Sequence, residues 1–269
     1  MGATDGGGGH NGEQPVEAGG AGQGEEVSAA LRLLVVQNDP ESGPGTLEHA
    51  LMAGGADLEF WLPFREEPAP PLDGFAGVLA FGGATNPDED EEEPWLSEVR
   101  EYVGEVLDRG VPFLGVCLGA QLLVQAAGGE ASSETHPEEI GWSELEVADE
   151  VGQDPLFGGL RDGERVFQHH SYGITAPPDA TVLATTEGDH QLFRVGEAAW
   201  GVQFHLEVDL PVLAIKLVTS LDELEGASID AKTLREESAQ NGDRLRELGE
   251  QVAYRFLALC TKDATKGDA

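Results

Sequence analysis

The chain has 269 residues, 51 of them acidic and 15 basic, for a formal net charge of −36. A surface of that sign repels phosphate, which excludes nucleic acid and anionic membrane surfaces as partners. Two cysteines, Cys117 and Cys260, make no disulfide framework and suit a reducing cytoplasm, and neither a membrane span nor a secretory leader is legible. The acids are interleaved with long periodic apolar segments. The imbalance is therefore read as that of a folded protein from a high-salt cytoplasm, where screening holds the self-repulsion down.

Residues 1–30 are rich in glycine, hold no aromatic side chain and are read as a disordered tail. Leu31–Gln37 is a near-continuous apolar run, as in a strand buried on both faces. Thr46–Ala53 reads as a short helix ended by Gly54 and Gly55, and Asp57–Pro63 and Gly77–Phe81 as further strands. After the acidic loop Asp88–Glu93, the residues Trp95, Val99, Tyr102, Val103 and Val106 recur at helical spacing. Pro112–Val116 is the next buried strand, and Gln121–Ala127 a helix stopped by glycines. Strands alternating with helices imply parallel pairing in a doubly wound α/β sheet. Short strands follow at Trp142–Val147, Arg165–His169, Thr181–Thr185, His190–Val195 and Ala198–His205. The chain then turns helical, with Leu245, Leu248, Val252 and Phe256 on one face. The expected division is a catalytic domain over 31–210, a helical extension over 211–262 and a polar tail over 263–269.

The segment Gly115-Val116-Cys117-Leu118-Gly119 lies between a predicted buried strand and a predicted helix. A glycine two residues to either side of a nucleophile is what a sharp strand-to-helix elbow needs, since side chains there would collide. The elbow also sets Cys117 at a helix N-terminus, where partial positive charge favours the thiolate. A thiolate needs a base that returns a proton to the leaving group. His205 ends a predicted strand two residues before Glu207, and residues at that spacing in an extended segment point the same way. Glu207 can then hold one ring nitrogen while the other faces Cys117. His169 and His170 compete as bases, but neither has a carboxylate two residues away. As neighbours on a strand they face opposite ways, so they are also a poor metal pair, and no metal site is expected.

Four segments together resemble the class I glutamine amidotransferase family. Gly115–Gln121 resembles its nucleophile motif and Gly201–Glu207 its second motif, with Leu206 where the family usually has proline. Phe81-Gly82-Gly83 resembles the glycine turn of the oxyanion hole. Gln168-His169-His170-Ser171-Tyr172 resembles the segment whose backbone holds the substrate's amino-acid end. The segments follow the family's order over about residues 31–210. Glu139-Ile140-Gly141-Trp142 and the helical C-terminal part further resemble stand-alone, GMP-synthase-like members.

The resemblance implies a flavodoxin-like fold and a glutaminase with Cys117, His205 and Glu207 as its triad. It implies oxyanion donors at the N–H groups of Gly83 and Leu118, and substrate contacts from Gly82, Gln121, Ser171 and Tyr172. Glutamine is the implied substrate. No cofactor is implied, and the ammonia would go to an unidentified acceptor or to a separate synthetase subunit, since no synthetase domain is legible after residue 210. Cleavage of γ-glutamyl peptides and a non-catalytic regulatory role are the alternatives.

Overall fold

The computed structural model describes residue 2 and residues 31–134, 138–208 and 230–264. The glycine-rich segment up to residue 30, apart from Gly2, lies outside the described residues. So do the first part of the expected extension, 211–229, and the tail from 265.

The N-terminal strands are β1 (Leu31–Val36), β2 (Ala56–Trp61), β3 (Gly77–Ala80) and β4 (Phe113–Val116). Then come β5 (Glu130–Ser132), β6 (Glu139–Glu144), β7 (Glu146–Val147) and β8 (Arg165–His170). The last four are β9 (Gly173–Thr175), β10 (Thr181–Thr186), β11 (Asp189–Val195) and β12 (Ala199–Val202). The α-helices among the described residues are α1 (Thr46–Ala53), α2 (Trp95–Arg109), α3 (Leu118–Ala126) and α4 (Ala231–Ala264).

The main sheet runs β2-β1-β3-β4-β12-β11-β10-β7. From β2 to β12 the pairing is parallel, and from β12 to β7 it is antiparallel. Alternation along β1 shows why the sheet is covered on both sides. Leu33 and Val35 share one apolar core with residues of α1 and α4, while Leu34 and Val36 share another with residues of α2 and α3. The expected doubly wound α/β arrangement is therefore present.

Helix α4 is 34 residues long and buries Leu234, Leu245, Leu248, Val252, Phe256 and Cys260. That spacing forms one apolar stripe, which joins the core beneath α1 and the sheet. Among the described residues no helix is long and apolar enough to cross a membrane.

Two strand expectations change. Trp142–Val147 is not one strand: β6 pairs with β8 in a separate ribbon, and β7 joins the edge of the main sheet beside β10. Buried Leu145 marks the crossing, its N–H donating to Glu164 O (3.0 Å) and its carbonyl accepting from Gly163 N–H (2.9 Å). The strand expected over Ala198–His205 ends at Val202. His205 instead meets Phe167 of β8 through an isolated bridge, its N–H donating to Phe167 O at 2.9 Å.

Candidate active site

Cys117 stands between the last residue of β4 and the first of α3, with φ 53° and ψ −113°. A side chain other than glycine in that region is strained and persists only where its surroundings impose it. Here the surroundings do. A Cβ on Gly115 would lie 2.5 Å from Gly119 O, and one on Gly119 would lie 2.2 Å from Ala80 O. Neither backbone position admits a larger residue, so β3, β4 and α3 close on one another at the elbow. Cys117 N–H donates to Val202 O (2.8 Å), and Cys117 O accepts from Ala120 N–H (2.9 Å) and Gln121 N–H (3.0 Å). These bonds start α3 at Leu118, earlier than the expected Gln121.

His205 and Glu207 are both buried, and His205 Nδ1–H donates to Glu207 Oε1 at 2.6 Å. The Glu207 carbonyl is fastened in turn by Thr46 N–H (2.8 Å) at the start of α1. The other ring nitrogen, Nε2, lies 3.4 Å from His169 O, and Cys117 Sγ lies 3.9 Å from the same carbonyl. A Cβ on Gly82 would stand 3.4 Å from Cys117 Cβ and 3.6 Å from His205 Cε1, so this glycine lies directly against both side chains. Gly83 packs beside Leu118, whose Cδ2 would be 3.1 Å from a Cβ there. Neither the Gly83 nor the Leu118 N–H meets an acceptor among the described residues.

The remaining expected residues converge on the same cleft, which encloses about 580 Å³. Gln121 lines it, donating from Nε2 to Tyr172 O (3.1 Å) and to Gln203 Oε1 (3.3 Å). Ser171 and Tyr172 form one wall, and the Tyr172 hydroxyl donates to Asp88 Oδ1 at 2.8 Å. Burial and that bond both push the Tyr172 hydroxyl pKa upward, so it stays a donor. Among the described residues no three His, Cys, Asp or Glu side chains converge as a metal site.

The sequence model of the family Glutamine amidotransferase class-I matches residues 42–218. The chain belongs to the class I glutamine amidotransferase family. It is 32% identical over 181 residues to a subunit of the glutamine-hydrolyzing GMP synthase of Halobacterium salinarum, covering 65% of this chain and 88% of that protein. It is 31% identical over 141 residues to the corresponding GMP synthase subunit of Thermoplasma acidophilum, and 34% identical over 151 residues to the probable GMP synthase of Caenorhabditis elegans. These matches take in 51% and 54% of this chain but only 66% and 19% of those two proteins. The crystal structure of a glutamine amidotransferase from Thermotoga maritima superposes with a TM-score of 0.77 at 28% identity, covering 85% of this chain and 99% of that one.

Three features of this amidotransferase site were not legible as functional. Asn38, buried after β1, donates from Nδ2 to Phe81 O (2.7 Å) and so steadies the Phe81-Gly82-Gly83 turn. The backbone carbonyl of His169 faces Cys117 and His205, and its ring lies against that of His205, with centroids 6.4 Å apart. Glu139 supplies the carboxylate that His170 lacks locally, reaching its Nε2 at 3.1 Å across the β6–β8 ribbon. The only sequence signal was that Glu139 lay in a segment resembling relatives.

Both His205 nitrogens face groups that only accept, a carboxylate and a carbonyl, which fits an imidazolium. Burial is the largest single influence on this ring and disfavours its charged form. Glu207 and Cys117, through charge and hydrogen bonds, together outweigh it and push the pKa from 6.5 up to about 10. A raised histidine pKa stabilises the fold fully below the unfolded value. That contribution is lost as pH rises from 6.5 through about 10. Glu207→Gln removes the charge and leaves the burial, so the His205 pKa is expected to fall. An NMR titration of the imidazole in the two proteins checks this, and an unchanged titration contradicts it.

Proposed function

We propose that this amidotransferase hydrolyses the side-chain amide of glutamine through Cys117, His205 and Glu207. The observation that carries the reading is the strained elbow at Cys117 beside a buried His205 that donates to Glu207 at 2.6 Å. Cys117 Sγ attacks the carboxamide carbon, and the oxygen takes up the negative charge. The N–H groups of Gly83 and Leu118 stabilise that oxyanion. His205 gives its Nε2 proton to the leaving nitrogen, the C–N bond breaks and ammonia departs from a glutamyl thioester. Water, losing a proton to His205, then attacks the thioester and releases glutamate and the Cys117 thiolate. Glu207 holds the imidazole in orientation and offsets its charge. Gly82, Gln121, Ser171 and Tyr172 shape the cleft around the substrate, and no cofactor takes part.

The ammonia goes to a synthetase on a separate polypeptide. This is supported by the similarity to proteins named as one subunit of a glutamine-hydrolyzing GMP synthase, in which the matched stretch makes up most of the protein. Assaying the purified protein with free glutamine and with γ-glutamyl peptides tests the substrate, and glutamine is the expected one. Faster cleavage of the peptides assigns the same triad to γ-glutamyl hydrolysis. A glutamine-analogue alkylator is expected to label Cys117, and the absence of that adduct would leave a regulatory module instead.

A further inference from the structure

Glu139 sits at the junction of three strands beneath the cleft. One oxygen, Oε2, accepts from Gln191 Nε2 on β11 at 2.6 Å and lies 3.1 Å from His170 Nε2 on β8. The His170 side chain is 2% exposed and the Glu139 side chain 16%, so these contacts lie largely out of water, where polar interactions are stronger. In the β6–β8 register Glu139 lies opposite His170, while Trp142, three residues on, donates from Nε1 to Ser238 Oγ of α4 at 2.9 Å. Strand β6 is therefore anchored at one end on the C-terminal helix. At the other end it grips the residue from which His170-Ser171-Tyr172 leaves β8 to form the cleft wall. The contacts of His169 O with Cys117 and His205 are long, at 3.9 and 3.4 Å, whereas those of Glu139 are short. The reacting pair is held mainly by its own elements: the elbow places Cys117, the Phe167 bridge and Glu207 place His205. Gln121 and Asp88 hold the Tyr172 end of the wall, and Glu139 the His170 end.

We infer that Glu139 is a positioning residue for substrate binding, clamping the His169–Tyr172 wall of the cleft through His170 and Gln191. The inference rests on the glutaminase reading above. It makes Glu139 act on KM rather than on the chemical step. Removing the carboxylate leaves His170 Nε2 with Gln168 Oε1 at 3.2 Å, so the ring keeps a partner and the fold persists.

The test compares Glu139→Ala and Glu139→Gln with the wild type. Glu139→Ala is expected to raise KM for glutamine about tenfold or more and to change kcat by less than about threefold. Alkylation of Cys117 by iodoacetamide, which needs no amino-acid pocket, should stay within about twofold of wild type. Glu139→Gln keeps an oxygen in reach of both Gln191 and His170 and should restore KM to within about threefold of wild type. An unchanged KM in Glu139→Ala, or a raised KM that glutamine at 139 does not correct, overturns the inference. Should the alanine variant not fold, Glu139→Asp withdraws the carboxylate by one methylene and carries the same expectation.

Hydrogen exchange separates this outcome from a failure of the glutaminase reading. If the wild type does not turn over glutamine, that reading falls, and the amides of His169–Tyr172 still report the clamp. They should exchange about tenfold faster in Glu139→Ala than in wild type, and equal rates overturn the inference.

Discussion

Cys117→Ala is expected to reduce glutamine hydrolysis below about one hundredth of wild type, because loss of a covalent nucleophile removes the only route to the thioester. The fold should survive. Alanine meets the same backbone strain at φ 53° that cysteine already tolerates. The sulfur's contact with His169 O, at 3.9 Å, is too long to contribute much stability. The Cβ that lies against Gly82 is retained. The measurement is an initial-rate ammonia assay beside a thermal melt. Residual activity above about one hundredth in a protein that melts normally would remove Cys117 as nucleophile.

Stability and activity are expected to rise together with potassium chloride, and tertiary structure to be lost at low salt. The net charge of −36 leaves most carboxylates without a cation of their own. At about 0.01 M salt the Debye length is roughly 30 Å, so acids across the whole domain repel one another; at about 1 M it is roughly 3 Å, and only adjacent charges still interact. Salt also weakens attractive pairs, and the two effects oppose. Arg32–Glu59 and Arg109–Asp73 are surface pairs of the kind worth about 0–1 kcal/mol each. Fifteen basic residues allow few of them against 51 acids. Relief of repulsion should therefore win. A melting temperature that is flat or falls between about 0.1 M and 2 M would contradict this and leave the Cys117 chemistry untouched.

The parts of this site that could be read from the amino-acid sequence are those whose geometry is local. The elbow is one: Gly115 and Gly119 are required by atoms within a few residues, or on the adjoining strand, of Cys117, and their spacing announces it. The His205–Glu207 contact is another, because only one residue separates the two in the chain. Buried parallel strands announce themselves by unbroken apolar runs, as Leu33–Val36 does, and helix faces by their spacing, as Leu245, Leu248, Val252 and Phe256 do.

Tertiary structure alone decided the rest. An apolar run does not distinguish a paired strand from a buried segment outside the sheet. Phe204 and Leu206 are fully buried, yet the ladder of β12 stops at Val202, because His205 must leave the sheet to meet Phe167. Trp142–Val147 reads as one strand, but Leu145 carries the chain from the β6–β8 ribbon to the edge of the main sheet. The Glu139–His170 contact joins residues far apart in the chain through the register of that ribbon, and register comes from which faces are buried against neighbours. Local spacing determined the elbow at Cys117 and the pairing of His205 with Glu207; long-range pairing determined the wall of the cleft that they share.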